Sequence, residues 1–426
     1  MNEYDSSKMA DVLEATLGAQ RTSSPEEADA ILINTCAIRE KAQEKLYHAL
    51  GRFRAEKENR PLLIGVGGCV AALEREKIFF RAPYVDFLFS PQTVHRVPEL
   101  LQLAQESKKT CDFLQAGVDK FDAFPTPRHV GTSAFVSIME GCGKRCSFCV
   151  VPFTRGDEIF RPLSSILAET AEAALLGAKE IILLGQNVSA WEEKREDGRI
   201  SFAMLLDAVS AVPGVERVRF TTSHPLDIDD DLIQAFARLP KLASHIHLPV
   251  QSGSNRILRA MGRGYTHEEY LDIVSRLRGA RSDLSISSDF IVGFPGETEE
   301  DFADTLSLVG KVGFDSSFSF IFSPRPGTPA ENLPRQVPVE AKQERLLQLQ
   351  RLLEKSERAI LEAMVGMEAD VLAETPAKKG QGELCGRTSR FHFTHFLAPP
   401  STVGKMVRVR IIQALSHTLR GQVIAC

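Results

Sequence analysis

Apolar positions change their spacing three times along this 426-residue chain. Up to about residue 110 they alternate between helical and strand periods. Met9 to Leu17 has helical periodicity, Asp29-Ala-Ile-Leu-Ile-Asn34 is a short apolar run, and Glu40 to Arg60 reads as a charged helix. Pro61-Leu-Leu-Ile-Gly-Val66 and Val85-Asp-Phe-Leu-Phe89 are further apolar runs. Short apolar strands separated by helices predict a parallel α/β sheet, because such strands are buried on both faces. Residues 111–133, with Pro125 and Pro127 near Gly131, read as a linker.

From Ala134 the pattern becomes a repeat of strand and helix. Strand candidates are Ala134–Met139, Glu180–Leu184, Arg217–Thr222, His245–Val250, Ser285–Val292 and Ser316–Phe322. Six such repeats within 134–360 predict an open, partial (βα)6 barrel, shorter than a closed one. Barrels of this kind place chemistry at the C-terminal ends of their strands. Here the first end leads into a cysteine run, and the next four into Gly185-Gln186-Asn187, Thr222-Ser223-His224, Gln251-Ser252-Gly253 and Gly293-Phe294-Pro295-Gly296-Glu297. Taken singly, the last of these reads equally well as a tight turn. A helix from about Val339 places Leu346, Leu349, Leu353, Ile360 and Met364 roughly on one stripe, with Gly366 as its C-cap. Over 363–426 the alternation in Lys405-Met-Val-Arg-Val-Arg-Ile-Ile412 and the short run Gln422-Val-Ile424 predict a small all-β barrel with arginines outside.

Composition narrows the class. With 43% hydrophobic and 25% charged residues the chain is globular, and no apolar run approaches a membrane span. The polar, acidic opening Met1-Asn2-Glu3-Tyr4-Asp5 carries no secretory signal, and eight cysteines without paired spacing point to a reducing compartment. A cytoplasmic location without membrane contact is expected. The net charge of −5 is unevenly spread. Beyond residue 374, Lys378, Lys379, Arg387, Arg390, Lys405, Arg408, Arg410 and Arg420 face one acid, Glu383, leaving +7 there and −12 on the rest. A basic end on an acidic body suits a polyanion; a merely solvated basic face has the same composition.

The sharpest chemical signal is Gly141-Cys142-Gly143-Lys144-Arg145-Cys146-Ser147-Phe148-Cys149. The spacing C-x3-C-x2-C lets three thiolates hold three irons of a cubic 4Fe–4S cluster and leaves the fourth iron open to a substrate. Zinc is the alternative, but it needs a fourth ligand close by. The next 70 residues contain neither Cys nor His, and His129 is the near candidate upstream.

Together these residues resemble the radical S-adenosylmethionine methylthiotransferases, of the MiaB type that acts on tRNA. The resemblance covers essentially the whole chain. It rests on Met1-Asn-Glu-Tyr-Asp-Ser-Ser-Lys-Met9, Asn34-Thr-Cys-Ala-Ile-Arg-Glu40, Gly68-Cys-Val-Ala-Ala72 and the cysteine run with Cys149-Val-Val-Pro-Phe-Thr-Arg-Gly156. Leu183-Leu-Gly-Gln-Asn-Val188, Thr221-Thr-Ser-His-Pro225, Leu248-Pro-Val-Gln-Ser-Gly-Ser254, Ser288-Asp-Phe-Ile-Val-Gly-Phe-Pro-Gly-Glu297 and Ser323-Pro-Arg-Pro-Gly-Thr-Pro329 extend it. It implies a methylthiotransferase domain over 1–110, a radical SAM domain over 134–360 and a TRAM barrel over 363–426.

The resemblance also implies the chemistry. Cys142, Cys146 and Cys149 would hold a 4Fe–4S cluster that binds and cleaves S-adenosylmethionine, and the 5′-deoxyadenosyl radical would take hydrogen from carbon 2 of an adenine. Cys36 and Cys69 match two ligands of a second 4Fe–4S cluster that supplies the sulfur, which another S-adenosylmethionine methylates. The substrate would be N(6)-isopentenyl-adenosine beside the anticodon, in a tRNA anticodon stem-loop. An electron donor of flavodoxin or ferredoxin type and a monomeric enzyme are expected. By their places at strand ends, Gly185, Gln186, Ser223, Gln251, Asp289 and Gly293 are the candidate contacts to S-adenosylmethionine, against ordinary loop or capping roles. For Cys36 and Cys69 the plainer reading is a pair of buried small hydrophobes. Cys111, Cys385 and Cys426 match no motif and read as structural. Phe391, His392, Phe393 and Phe396 suit nucleotide stacking or barrel core.

Two features depart from the family pattern. The family places a further cysteine, within Gly-Cys-Gln and after a first strand, immediately before Met-Asn-Glu-Tyr. Met1 is therefore expected to be an internal start, with the second cluster short of one ligand. Phe160 stands where the family has Ser. Two rival classes fit parts of the pattern: a methylthiotransferase acting on threonylcarbamoyl-adenosine tRNA or a ribosomal protein, and an RNA-binding protein with structural clusters.

Overall fold

A computed structural model describes all residues except 37–39, 107, 115, 116, 118, 127–129, 197, 378, 379, 381 and 426. The chain forms two compact units. One comprises Met1–Arg128, Met139–Arg161 and Arg325–Glu331, and the other comprises His129–Ile138, Pro162–Pro324 and Asn332–Cys426.

The first unit is built on a parallel sheet of four strands in chain order, Ala30–Thr35, Leu63–Gly68, Phe87–Phe89 and Thr110–Asp112. Its alternate residues feed two cores. Ile31, Ile33, Ile64, Val66 and Leu88 pack with Leu46, Leu50 and Ile78. Leu32, Leu63, Phe87 and Phe89 pack with Met9, Val97, Leu100 and Leu101. Burial on both faces is why these strands read as continuous apolar runs. The fourth strand lies in the segment that reads as a linker. Thr110-Cys-Asp112 has no apolar pattern and joins the sheet edge by main-chain pairing with Phe87–Phe89, which composition does not encode. The first helix, Asn2–Leu17, begins well before the periodic stretch, because its early turns bury the polar Asp5 and Lys8 beside Tyr4.

The second unit holds six parallel strands in two sheets of three. Glu180–Leu184 lies between Ser133–Ser137 and Arg217–Phe220, and Ser285–Val292 lies between His245–His247 and Ser316–Ile321. A parallel bridge from Val218 to Leu242 carries the first sheet toward the second, giving the open barrel. Helices cover its outside, where Phe220 packs on Phe202 and Phe236, and Phe290 sits edge-on to Phe314. The long helix Val339–Ala363 buries Leu349, Leu353 and Leu361 against the unit.

After that helix, Glu368–Pro376, Glu383–Thr388, Phe393–Leu397, Met406–Ala414 and Leu419–Ala425 close into a five-stranded barrel. Val371, Leu384, Phe396, Val407, Val409, Ile411 and Leu419 fill it.

The turn joining Glu383–Thr388 to Phe393–Leu397 packs on the N-terminal ends of the six parallel strands. There the buried Glu180 accepts from Arg217 (2.6 Å), Arg219 (3.1 Å) and Ser133 Oγ (3.0 Å). The two guanidiniums also donate to the carbonyls of Arg387 (2.9 Å), Thr388 (3.1 Å) and Ser389 (3.3 Å). Phe391 stacks on His245 with ring centres 4.8 Å apart and lies 4.6 Å from the Arg219 guanidinium. Arg390 pairs with Asp315 at 2.9 Å. Of the arginines expected outside, Arg390 is therefore spent on docking and Arg387 pairs with Glu374 at 2.7 Å. Arg408 and Arg410 do face outward, but they reach Glu368 and Asp370 at 2.9–3.4 Å. Phe396 is core, while Phe391 and Phe393 are half exposed.

Candidate cysteine centre and strand-end site

In the first unit, Cys142, Cys146 and Cys149 share one loop of little regular structure, which ends in the short helix Val151–Arg155. Gly141, at φ +78°, turns the chain against the Asp157 carbonyl, where a Cβ would overlap. The loop is tied by Cys142 N–H to Gly156 O (3.2 Å) and Cys149 N–H to Cys146 O (3.1 Å). Val151 N–H donates to Cys149 Sγ at 3.5 Å, and the Lys144 amide donates to the Cys142 sulfur. Burial pushes the Cys142 thiol up to about 11, with the Glu158 carboxylate adding to the shift and the Lys144 amide opposing it. At neutral pH this thiol keeps its proton until a metal displaces it.

The donor set fits a thiolate-bound cluster. All seven described cysteines are free of disulfides. Amides directed at sulfur are what stabilises thiolate ligands and tunes a cluster. Among the described residues no group of three His, Cys, Asp or Glu is placed to hold a metal ion. His129, the candidate fourth ligand for zinc, lies outside the described residues.

Cys36 and Cys69, both half-buried, lie at the ends of neighbouring parallel strands, directly after the register partners Thr35 and Gly68. Gly68, at φ +88°, makes this possible: a Cβ there would overlap the Thr35 carbonyl oxygen. Beside Cys69 is a cation that sequence reasoning missed. Arg155 is buried between Asp5 (2.6 Å) and Glu140 (3.1 Å), and Glu140 also holds Lys120 (2.5 Å). Burial alone would lower its pKa, but Asp5, Glu140 and the Cys69 sulfur carry it above the ordinary guanidinium value. Nothing in the sequence pairs positions so far apart.

In the second unit the strand ends stand as follows. Gly185 is buried and Gln186 half-buried after Glu180–Leu184. Next to them Asn187 Oδ1 accepts from the His224 amide (3.0 Å) and its Nδ2 donates to Asp227 (2.7 Å), joining the second and third strand ends. Ser223 is buried, its amide donates to His247 O (3.3 Å), and its Oγ has no hydrogen-bond partner among the described residues. Gln251, at φ +76°, occupies the left-handed region that non-glycine residues avoid; its amide donates to Asp289 O and its carbonyl accepts from Ile291, each at 2.9 Å. Gly293 sits where a side chain would overlap Lys342, and its amide donates to Glu297 (2.7 Å), which in turn pairs with Arg345 (2.8 Å). The Gly-Phe-Pro-Gly-Glu run thus anchors the long helix.

Asp289 is on the inner face of its strand, one row from the end. There it faces His247 Nε2 at 3.6 Å, and His247 Nδ1 meets Ser287 Oγ at 2.9 Å. Phe318, the register partner of Asp289, lies edge-on to His247 and is 53% exposed. Period-two alternation could have flagged these inner residues; attention to strand ends passed over them.

The radical SAM superfamily matches residues 136–309, the uncharacterized protein family UPF0004 residues 1–90, and the TRAM domain residues 362–424. Over 426 residues the chain is 52% identical to the tRNA-2-methylthio-N(6)-dimethylallyladenosine synthase of Nitrosomonas europaea, covering 99% of this chain and 96% of that one. Over 429 residues it is 52% identical to the synthase of the same name from Aromatoleum aromaticum, covering 100% and 96%. The solved radical S-adenosylmethionine methyltransferase TsrM from Kitasatospora setae matches with a TM-score of 0.53 at 13% identity, over 88% of this chain and 71% of that one. That last likeness is one of fold alone.

Proposed function

The chain belongs to the tRNA-2-methylthio-N(6)-dimethylallyladenosine synthases, and from that premise we propose that it methylthiolates carbon 2 of N(6)-dimethylallyl-adenosine beside the anticodon of tRNA. The observation that carries the reading is identity of 52% running through 99% of the chain, across the UPF0004, radical SAM and TRAM regions alike. A radical SAM enzyme uses S-adenosylmethionine and a 4Fe–4S cluster. Cys142, Cys146 and Cys149 are the residues that would hold that cluster, and when bound it supplies the electron that splits S-adenosylmethionine. Cys36 and Cys69 would be ligands of a second cluster, the sulfur source. Radical chemistry suits an aromatic C–H with no leaving group, and the protein's part is to orient the reactants and exclude water.

For S-adenosylmethionine the chain offers Gly185, Gln186, Ser223, Gln251 and Gly293; Asp289, expected with them, stands one row below its strand end, beside His247. The buried Ser223 Oγ, without a hydrogen-bond partner among the described residues, is a polar group that a ligand would satisfy. The strained Gln251 is the kind of backbone that functional sites retain. A loop base is the natural target, since it unstacks at less cost than a paired one. The remaining proposals are a flavodoxin- or ferredoxin-type electron donor, a monomeric enzyme and a cytoplasmic location. Among the described residues no helix is long and apolar enough to cross a membrane.

The test is anaerobic reconstitution, then iron analysis and mass spectrometry of treated tRNA. About eight irons per chain and a methylthiolated nucleoside are expected. Cys146→Ala should abolish 5′-deoxyadenosine formation. Persistent 5′-deoxyadenosine in that variant overturns the assignment of the cysteine loop.

A further inference from the structure

We propose that the inner face of the strands His245–His247, Ser285–Val292 and Ser316–Ile321 seats the target base, with Phe318 as its stacking platform. Ile291 and Phe320 would line the dimethylallyl group, and His247 with Asp289 would meet the polar edge of the purine. The inference rests on the function proposed above and names the substrate-binding surface within it.

The strand register selects these residues. Asp289 pairs with Phe318, Ile291 with Phe320, and Ser287 with both His247 and Ser316. Side chains at alternate positions share a face, so these residues stand on one side of the sheet. Ile286, Ser288, Phe290 and Val292 take the other side, which is fully buried, with Phe290 edge-on to Phe314 at 5.3 Å. The contact between His247 and Phe318, 6.5 Å between ring centres at 71°, reaches across the middle strand and confirms the shared face. Lower on the same face, His245 is covered by the stacked ring of Phe391.

The chemistry of this face is two-sided. Phe318 is 53% exposed, while Phe290 on the opposite face is wholly buried. Ile291 and Phe320 are only half-buried. Beside this apolar row are a carboxylate and an imidazole, 3.6 Å apart, with Ser287 Oγ 2.9 Å from the far ring nitrogen. An adenine carrying a branched alkenyl group on N(6) has the same two halves. Its flat ring suits an open aromatic face, its substituent suits the apolar row, and its remaining N(6)–H suits the Asp289 carboxylate. Base–aromatic stacking requires no particular base, so the apolar row beside Phe318 is what would distinguish the dimethylallyl form from plain adenine. S-adenosylmethionine also carries an adenine, but without the apolar substituent.

The experiment uses the reconstituted enzyme and two anticodon stem-loop RNAs that differ only in the dimethylallyl group. Dissociation constants are measured for wild type, Phe318→Ala and Phe318→Tyr, with S-adenosylmethionine affinity measured in parallel. The wild type should bind the dimethylallyl RNA more tightly than its plain counterpart, and Phe318→Ala should weaken binding of both RNAs about 5- to 150-fold. Phe318→Tyr should keep wild-type affinity for both RNAs, and S-adenosylmethionine affinity should stay within about twofold in both variants. A wild type with no preference overturns the role of the apolar row, and unchanged RNA affinity in Phe318→Ala overturns the platform. So does an equal loss of S-adenosylmethionine binding, which would give the face to the cofactor's adenine. A wild-type enzyme that forms no methylthiolated product overturns instead the function on which the inference rests, whatever Phe318 does.

Discussion

Glu180→Gln replaces a buried anion that two arginines share. Glu180 is fully buried, Arg217 and Arg219 are nearly so, and their bonds to it are 2.6 and 3.1 Å long respectively. Glutamine keeps the shape, but its oxygen carries no charge and its amide nitrogen is a further donor among donors. Leaving a buried cation without its counter-charge costs about 3–5 kcal/mol. In a domain of some 150–250 residues each kcal/mol moves Tm by about 2–4 °C, so a fall of about 6 °C or more is expected by calorimetry. The same guanidiniums hold the carbonyls of Arg387, Thr388 and Ser389. Amide exchange across 388–392 should therefore accelerate in the variant. Acid dependence gives a second check. Burial alone would raise the Glu180 pKa, but Arg219, Arg217 and the Ser133 hydroxyl bring it below the ordinary carboxylate value. A depressed folded pKa means the contribution is fully present above the unfolded value of about 4.3 and disappears as pH falls through the folded one. The gap between wild type and variant should hold from neutral pH to about 5 and narrow below it. A Tm change under about 1 °C with unaltered exchange, or a gap that widens in acid, refutes the reasoning.

Gly68→Ala forces a Cβ onto the Thr35 carbonyl at φ +88°, between the two strand ends that carry Cys36 and Cys69. Iron should fall from about eight toward about four per chain while 5′-deoxyadenosine formation persists; a full iron complement would show that the strand ends do not set this pair. Replacing both Arg408 and Arg410 with Gln should lower the slope of log affinity for tRNA against log salt by about 1.4–1.8. Thermal unfolding should change little, because exposed ion pairs to Glu368 and Asp370 contribute little. An unchanged slope means that these arginines only tie neighbouring strands together.

Much of the fold was legible because burial writes a period into the chain. Glu180–Leu184 and Ser285–Val292 were readable to the residue, as each carries an uninterrupted or alternating apolar signal between turns. Thr110–Asp112 was not, because an edge strand is held by main-chain bonds that any side chain permits. The cysteine loop was legible as chemistry, since its ligands are close in sequence. His247 and Phe318 were not, because 71 residues separate partners that meet across a strand.

Charge misled where spacing did not. The sequence counts Arg387 and Arg390 toward a basic surface, yet tertiary structure pairs Arg387 with Glu374 and sends Arg390 to Asp315. What the sequence alone determined was whatever is local: strand and helix periods, turn glycines and the spacing of three thiols. What only the tertiary structure decided was whatever depends on distant partners: the Glu180 network under the barrel, the buried Arg155 beside Cys69, and the row of His247, Asp289 and Phe318. Periodicity records which side of an element is buried. It does not record against what, and the energy of a buried charge or an open aromatic face depends on that neighbour.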